Sequence, residues 1–80
     1  PKALADYKKL AAHIQEQIKK KMFLLKENPG YGKMLTPSSY RSLRSGDYRI
    51  IYEVITRENT IHVLLIGHRK NVYDDFSRMI

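Results

Sequence analysis

Residues Leu43–Tyr73 read LRSGDYRIIYEVITRENTIHVLLIGHRKNVY. A turn, a strand, a second turn and a second strand run into a basic cluster that closes on a tyrosine. Tyr48 to Thr56 and Thr60 to Gly67 are dense in β-branched and aromatic residues, so both are expected as strands. Ser45-Gly46-Asp47 and Arg57-Glu58-Asn59 are the turns, with Gly46 able to take a positive φ. Ser39 to Arg44 is a shorter strand candidate. Adjacent strands joined by short turns form antiparallel hairpins.

Alternation along a strand then sorts the side chains. Tyr48, Ile50, Tyr52 and Val54 share one face, and Arg49, Ile51, Glu53 and Ile55 the other. On the second strand, Leu64 and Ile66 stand opposite Val63, Leu65, Gly67 and Arg69. Arginine is rarely buried unpaired, so Arg49 and Arg69 are expected on the face turned away from any packed helix. Gly67 then leaves room beside Arg69. Both faces of both strands are apolar, so a single helical layer leaves Ile51, Ile55, Val63 and Leu65 needing a partner.

Upstream, Pro1 to Glu27 reads as helix. Leu4, Tyr7, Ala11, Ile14, Ile18, Met22 and Leu25 recur at spacings of three and four, as one long helix or two broken near Ala11 to His13. Pro1 suits a first helical turn. Lys8, Lys9, Lys19, Lys20, Lys21 and Lys26 lie mostly off this stripe and read as a solvated face. Asn28-Pro29-Gly30 ends the helix, and Tyr31 to Ser39 reads as a loop. The helical stripe should pack on Ile50, Tyr52, Val54, Leu64 and Ile66, which makes an α+β fold of N-terminal helices on a small antiparallel sheet. At 80 residues, the expectation is one domain, 1–80.

The chain carries 15 Lys and Arg against 8 Asp and Glu, a net charge of +7. That surplus suits nucleic acid or an acidic protein, or is a solvated basic surface. No cysteine is present, so neither a disulfide nor a Cys-based zinc site is available. No secretory signal is visible, and no apolar run reaches the roughly 18–20 residues of a membrane span. A cytoplasmic setting is expected.

His13, His62 and His68 lack HxH or HExxH spacing, so no metal is expected. No phosphate-binding glycine loop or GxSxG elbow occurs, so no cofactor is expected either. What remains is Arg41, Arg44 and Arg49 around one turn and His68, Arg69, Lys70 and Tyr73 after the last strand, with Lys33 in the loop. Guanidinium groups grip phosphate oxygens in bidentate fashion. Tyrosine stacks on bases or moves protons. Such a set can bind a phosphodiester and stabilise the charge that builds on it during cleavage. The alternative is a structural network of ion pairs with Asp47, Asp74 and Asp75.

LRSGDYRIIYEV and VLLIGHRKNVY together resemble the RelE/ParE superfamily of toxin–antitoxin toxins, and the stretch ending in ENPGYGKML is similar to that family's helices and following loop. The resemblance covers nearly the whole chain and favours the RelE branch. It implies a toxin that cuts messenger RNA on the ribosome by attack of the 2′-OH on the adjacent phosphate. Its expected partners are the ribosome, mRNA and a cognate antitoxin, with a toxin–antitoxin heterotetramer as the assembly.

By motif, Arg49 matches a phosphate-contacting arginine, Arg69 one that assists the leaving group, and Tyr73 a tyrosine that stacks on the substrate base. Tyr40 and Ser42 stand where the family prototype carries lysines. Arg41, Arg44, Lys33 or His68 is expected to compensate, with His68 the type of side chain suited to proton transfer near neutral pH and Lys70 a further RNA contact. The family's first strand is expected to be missing before the helices here, which would leave a sheet edge to be covered. The alternatives are a ParE-like inhibitor of DNA gyrase without nuclease chemistry, and a basic module that binds nucleic acid without cutting it.

Overall fold

The computed structural model describes residues 2–35 and 38–79. Pro1, expected in the first helical turn, and Pro37, expected in the loop, lie outside them. The N-terminal segment forms two helices, α1 (Lys2–Lys8) and α2 (Ala12–Glu27). Gln15 fastens the break: its Nε2 donates to the Tyr7 carbonyl at 2.8 Å, satisfying an acceptor at the end of α1. The break resets the helical phase. Ala3 is buried and Tyr7 and Leu10 pack on the core, while Leu4 is 50% exposed, so the single stripe read through the sequence fails at its start.

Four antiparallel strands follow in the order β1 (Lys33–Met34), β2 (Tyr40–Ser45), β3 (Tyr48–Ile55) and β4 (Thr60–His68). A 3-10 turn, Pro29–Tyr31, follows α2 where the helix is expected to end, and the two-residue β1 lies within the stretch expected to be loop. Gly46 takes a φ of +60° in the β2–β3 turn, and Asn59 a left-handed φ of 50° before β4. α1 and α2 cover one face of the sheet, over a core of Ile18, Leu25, Leu43, Ile50, Tyr52 and Ile66.

Simple alternation fails once, in β4. Ile51 pairs with Leu65 but Tyr52 pairs with Val63, so Leu64 is an extra residue, a β-bulge. Below the bulge the faces exchange. Val63 and Ile61 turn toward the helices and Leu64 turns away, the reverse of the expected assignment for Val63 and Leu64.

A C-terminal helix that the sequence reading did not anticipate, α3 (Val72–Met79), covers the other face. Val72 and Phe76 pack on Ile51 and Leu65, with Tyr40 edge-on to Phe76 at 5.4 Å between ring centroids. Ile51 and Leu65 therefore need no outside partner. Gly67 does not leave space for a ligand either: a Cβ there would lie 3.3 Å from the Val72 side chain, so the missing side chain admits α3. At the sheet's β4 edge, α1 lies alongside, and Asp6 Oδ2 accepts the Ile66 N–H at 3.1 Å. None of the helices among the described residues is long and apolar enough to cross a membrane.

Candidate functional site

The β2–β3 hairpin puts Arg44 and Arg49 directly opposite each other. Both project from the α3 side of the sheet, since Arg49 alternates with Ile50, which faces α2. Like charges in register repel; the Arg44 Nε donates to the Gly46 carbonyl at 3.3 Å. Among the described residues, the ion pairs are Lys2–Asp6, Arg57–Glu58, Arg69–Asp47 and Arg78–Asp75, and none uses Arg44 or Arg49. Lys33 joins them on the same face, because β1 pairs Lys33 with Ser42. Together with Lys21, Tyr31, Gly32, Leu43 and Gly46 these residues line an open groove of about 390 Å³ that has no carboxylate in its lining. A larger cavity of about 470 Å³ lies between the end of α2 and the β3–β4 turn, but Lys26 is the one charged residue lining it. The cationic groove is where an anion can be held.

Tyr73 reaches the groove's edge from the first turn of α3. Its hydroxyl is 3.0 Å from Ser42 Oγ, and Ser42 is 2% exposed. Arg69 stands beyond the end of β4. Its backbone N–H donates to the Asp47 carbonyl at 2.8 Å, and its Nε lies 3.6 Å from Asp47 Oδ1. Both side chains are mostly solvated, so this pair is weakly held and the guanidinium can be drawn off by a stronger anion.

Three expected site residues stand elsewhere. His68 pairs with Tyr48 on the helix side of the sheet, its ring 5.6 Å from the Tyr48 ring. Arg41 also faces that side and donates to the Gly32 carbonyl at 2.9 Å, so it anchors the loop. Lys70 is exposed in the turn before α3, its N–H 3.2 Å from His68 Nδ1. Two lining residues were missed. In the sequence Lys21 reads as one of the solvated lysines of the helix, and Tyr31 as the start of a loop. No spacing rule would have placed them, because they meet the arginines only through the fold. Among the described residues, no His, Asp and Glu side chains gather into a group that could hold a metal.

The family model for the ParE toxin of the type II toxin–antitoxin system parDE matches residues 1–73. The chain belongs to the RelE/ParE superfamily of toxins. Within that superfamily it is close to the RelE branch. The mRNA interferase toxin RelE of Escherichia coli (strain K12) is 33% identical over an 85-residue alignment spanning 99% of this chain and 90% of that protein. The isolated E. coli RelE toxin superposes with a TM-score of 0.72 at 30% identity, over 98% of this chain and 90% of that one. The toxin in the RelB–RelE antitoxin–toxin complex of Methanococcus jannaschii gives a TM-score of 0.71 at 29% identity, over 92% of each chain. The N-terminal helices on an antiparallel sheet are thus the RelE topology. Set on that topology, Tyr40 and Ser42 both tie α3 to β2, one through the Phe76 ring and the other through the Tyr73 hydroxyl.

Proposed function

We propose that this chain is a RelE-like toxin that cleaves messenger RNA on the ribosome and is held inactive by a cognate antitoxin. The observation that carries the reading is the opposed Arg44–Arg49 pair, without a carboxylate partner among the described residues and flanked by Lys33. Two arginines at paired positions on one face of the sheet, both lining the groove, can coordinate one anion such as a phosphodiester. The E. coli relative is named an mRNA interferase, and structures of both the E. coli and the Methanococcus jannaschii relatives are toxin–antitoxin complexes.

In the proposed reaction the 2′-oxygen forms a bond to the adjacent phosphorus and the P–O5′ bond breaks. The products are a 2′,3′-cyclic phosphate and a free 5′-hydroxyl. Arg49 and Arg44 hold the non-bridging oxygens and offset the charge that grows on them. Arg69 swings from Asp47 toward the departing 5′ oxygen. Tyr73, positioned by Ser42, stacks on the base. Lys33 supplies the ammonium on this face, since His68 and Arg41 face the helices. No carboxylate or imidazole lines the groove among the described residues, so the 2′-OH proton leaves to water and the 5′ oxygen regains one from water. The antitoxin acts by covering the arginine groove.

The test is cleavage of mRNA on programmed ribosomes. Wild-type protein should cut the message, and Arg49→Ala or Arg69→Ala should slow cutting about 10²–10³-fold, the usual loss when a charge-stabilising donor is removed, with melting unchanged. Intact mRNA together with blocked gyrase supercoiling would overturn the proposal in favour of a gyrase inhibitor.

A further inference from the structure

The groove extends past the arginine pair to two residues with no part in the cleavage scheme. Lys21 comes from α2 and is half-buried, whereas its neighbours Lys19 and Lys20 are exposed. Tyr31 ends the 3-10 turn and is 54% exposed, an aromatic ring that the core does not use.

The backbone that carries the ring is held at several points. The buried Tyr52 hydroxyl accepts the Gly32 N–H at 2.8 Å and donates to the Pro29 carbonyl at 2.8 Å. Arg41 holds the Gly32 carbonyl, and the Tyr31 N–H donates to the Asn28 carbonyl at 3.0 Å. Gly32 must be glycine for this approach, because a Cβ would fall 2.7 Å from the Tyr52 hydroxyl and 3.0 Å from the Ser42 carbonyl oxygen. A solvent-facing ring on a fastened backbone, above a groove lined by Lys21, Lys33, Arg44 and Arg49, has the make-up of a single-strand binding site: a stacking platform beside a track of cations.

We infer that Tyr31 and Lys21 form a second nucleotide subsite, in which the base next to the cleaved linkage stacks on Tyr31 while its phosphate lies between Lys21 and Lys33. The ligand's identity as single-stranded RNA rests on the proposed function. The subsite extends the grip on RNA without contributing to bond breaking. It draws Lys21 out of the solvated lysine face and gives the anchored turn a purpose.

The test measures binding of the full chain to a short, fluorescently labelled single-stranded RNA whose riboses are all 2′-O-methylated, which removes the nucleophile. Tyr31→Ala should weaken binding about 5- to 100-fold, as loss of a base–aromatic stack does, and Tyr31→Phe should bind like wild type. Lys21→Ala should weaken binding and lower the salt slope by about 0.7, the single-strand value for one phosphate contact. Lys9→Ala, an exposed lysine outside the groove, should do neither. The chain has no tryptophan, so Tyr31→Trp introduces a single tryptophan, selectively excited at long wavelength, whose emission should be quenched when unlabelled RNA binds. The inference is overturned if the wild type does not bind at low salt, if Tyr31→Ala binds as well as wild type, if Tyr31→Phe is as weak as Tyr31→Ala, or if the Tyr31→Trp emission is unmoved. The cleavage assay is separate. Loss of binding in these variants with no cleavage by wild type keeps the subsite and removes the nuclease reading; cleavage by wild type with unaffected Tyr31 variants removes the subsite alone.

Discussion

Tyr52→Phe removes one oxygen atom from the middle of the molecule and should cost far more than its size suggests. The ring is fully buried, and its hydroxyl makes two hydrogen bonds of 2.8 Å, to Pro29 and Gly32. The Pro29 carbonyl sits in a half-buried position and can turn to water. Gly32 is buried, so its N–H is left without a partner, at a cost of about 1–3 kcal/mol. Adding the net loss of the Pro29 bond, about 0.5–1.5 kcal/mol, gives a destabilisation of roughly 1.5–4.5 kcal/mol. A chain this long is stable by only about 4–12 kcal/mol at typical values per residue. Its melting temperature should fall by about 6–36 °C at the usual 4–8 °C per kcal/mol. Circular dichroism melting reads this directly. Tyr40→Phe is the control: its ring packs on Phe76 and its hydroxyl makes no hydrogen bond among the described residues, so its stability should change by less than about 0.5 kcal/mol. A Tyr52→Phe melt within about 2 °C of wild type would refute the view that this hydroxyl fastens the turn to the sheet.

Two other perturbations test how the sheet is finished. Asp6→Ala leaves the Ile66 N–H at the β4 edge without its acceptor and should lower urea-unfolding stability by about 1–3 kcal/mol; Asp6→Asn keeps an acceptor and should recover most of it, and equal losses in the two would contradict the capping role. Phe76→Ala strips α3 from Ile51 and Leu65 and should cost about 3–5 kcal/mol with a rise in ANS fluorescence, whereas unchanged dye binding would mean that α3 does not seal this face.

The hairpin of Tyr48 to His68 was legible because β-branched density and turn residues agreed there. Alternation correctly put Arg49 on the face away from α1 and α2. It misjudged Val63 and Leu64 because a bulge adds one residue to one strand and leaves no mark in composition. It also missed α3, since eight residues are too few for a periodic signal. The clues were present: Val72 and Phe76 stand four apart, and Asp74 and Asp75 favour the N-terminus of a helix. Leu4 was misplaced because one period was carried across the break that Gln15 fastens. The site was legible only in part. Lys33 and Ser42 are distant in sequence and meet through register, while Lys21 and Tyr31 enter the groove through the packing of α2 and the anchoring of one turn.

The most direct test of the RNA-cleaving account uses programmed ribosomes carrying an mRNA with a single 2′-deoxynucleotide on the 5′ side of the mapped cut. The account predicts that the all-ribose message is cut to a 2′,3′-cyclic phosphate end and that the single deoxy substitution abolishes cutting at that linkage. Cutting of the deoxy-substituted linkage at the unmodified rate would contradict it.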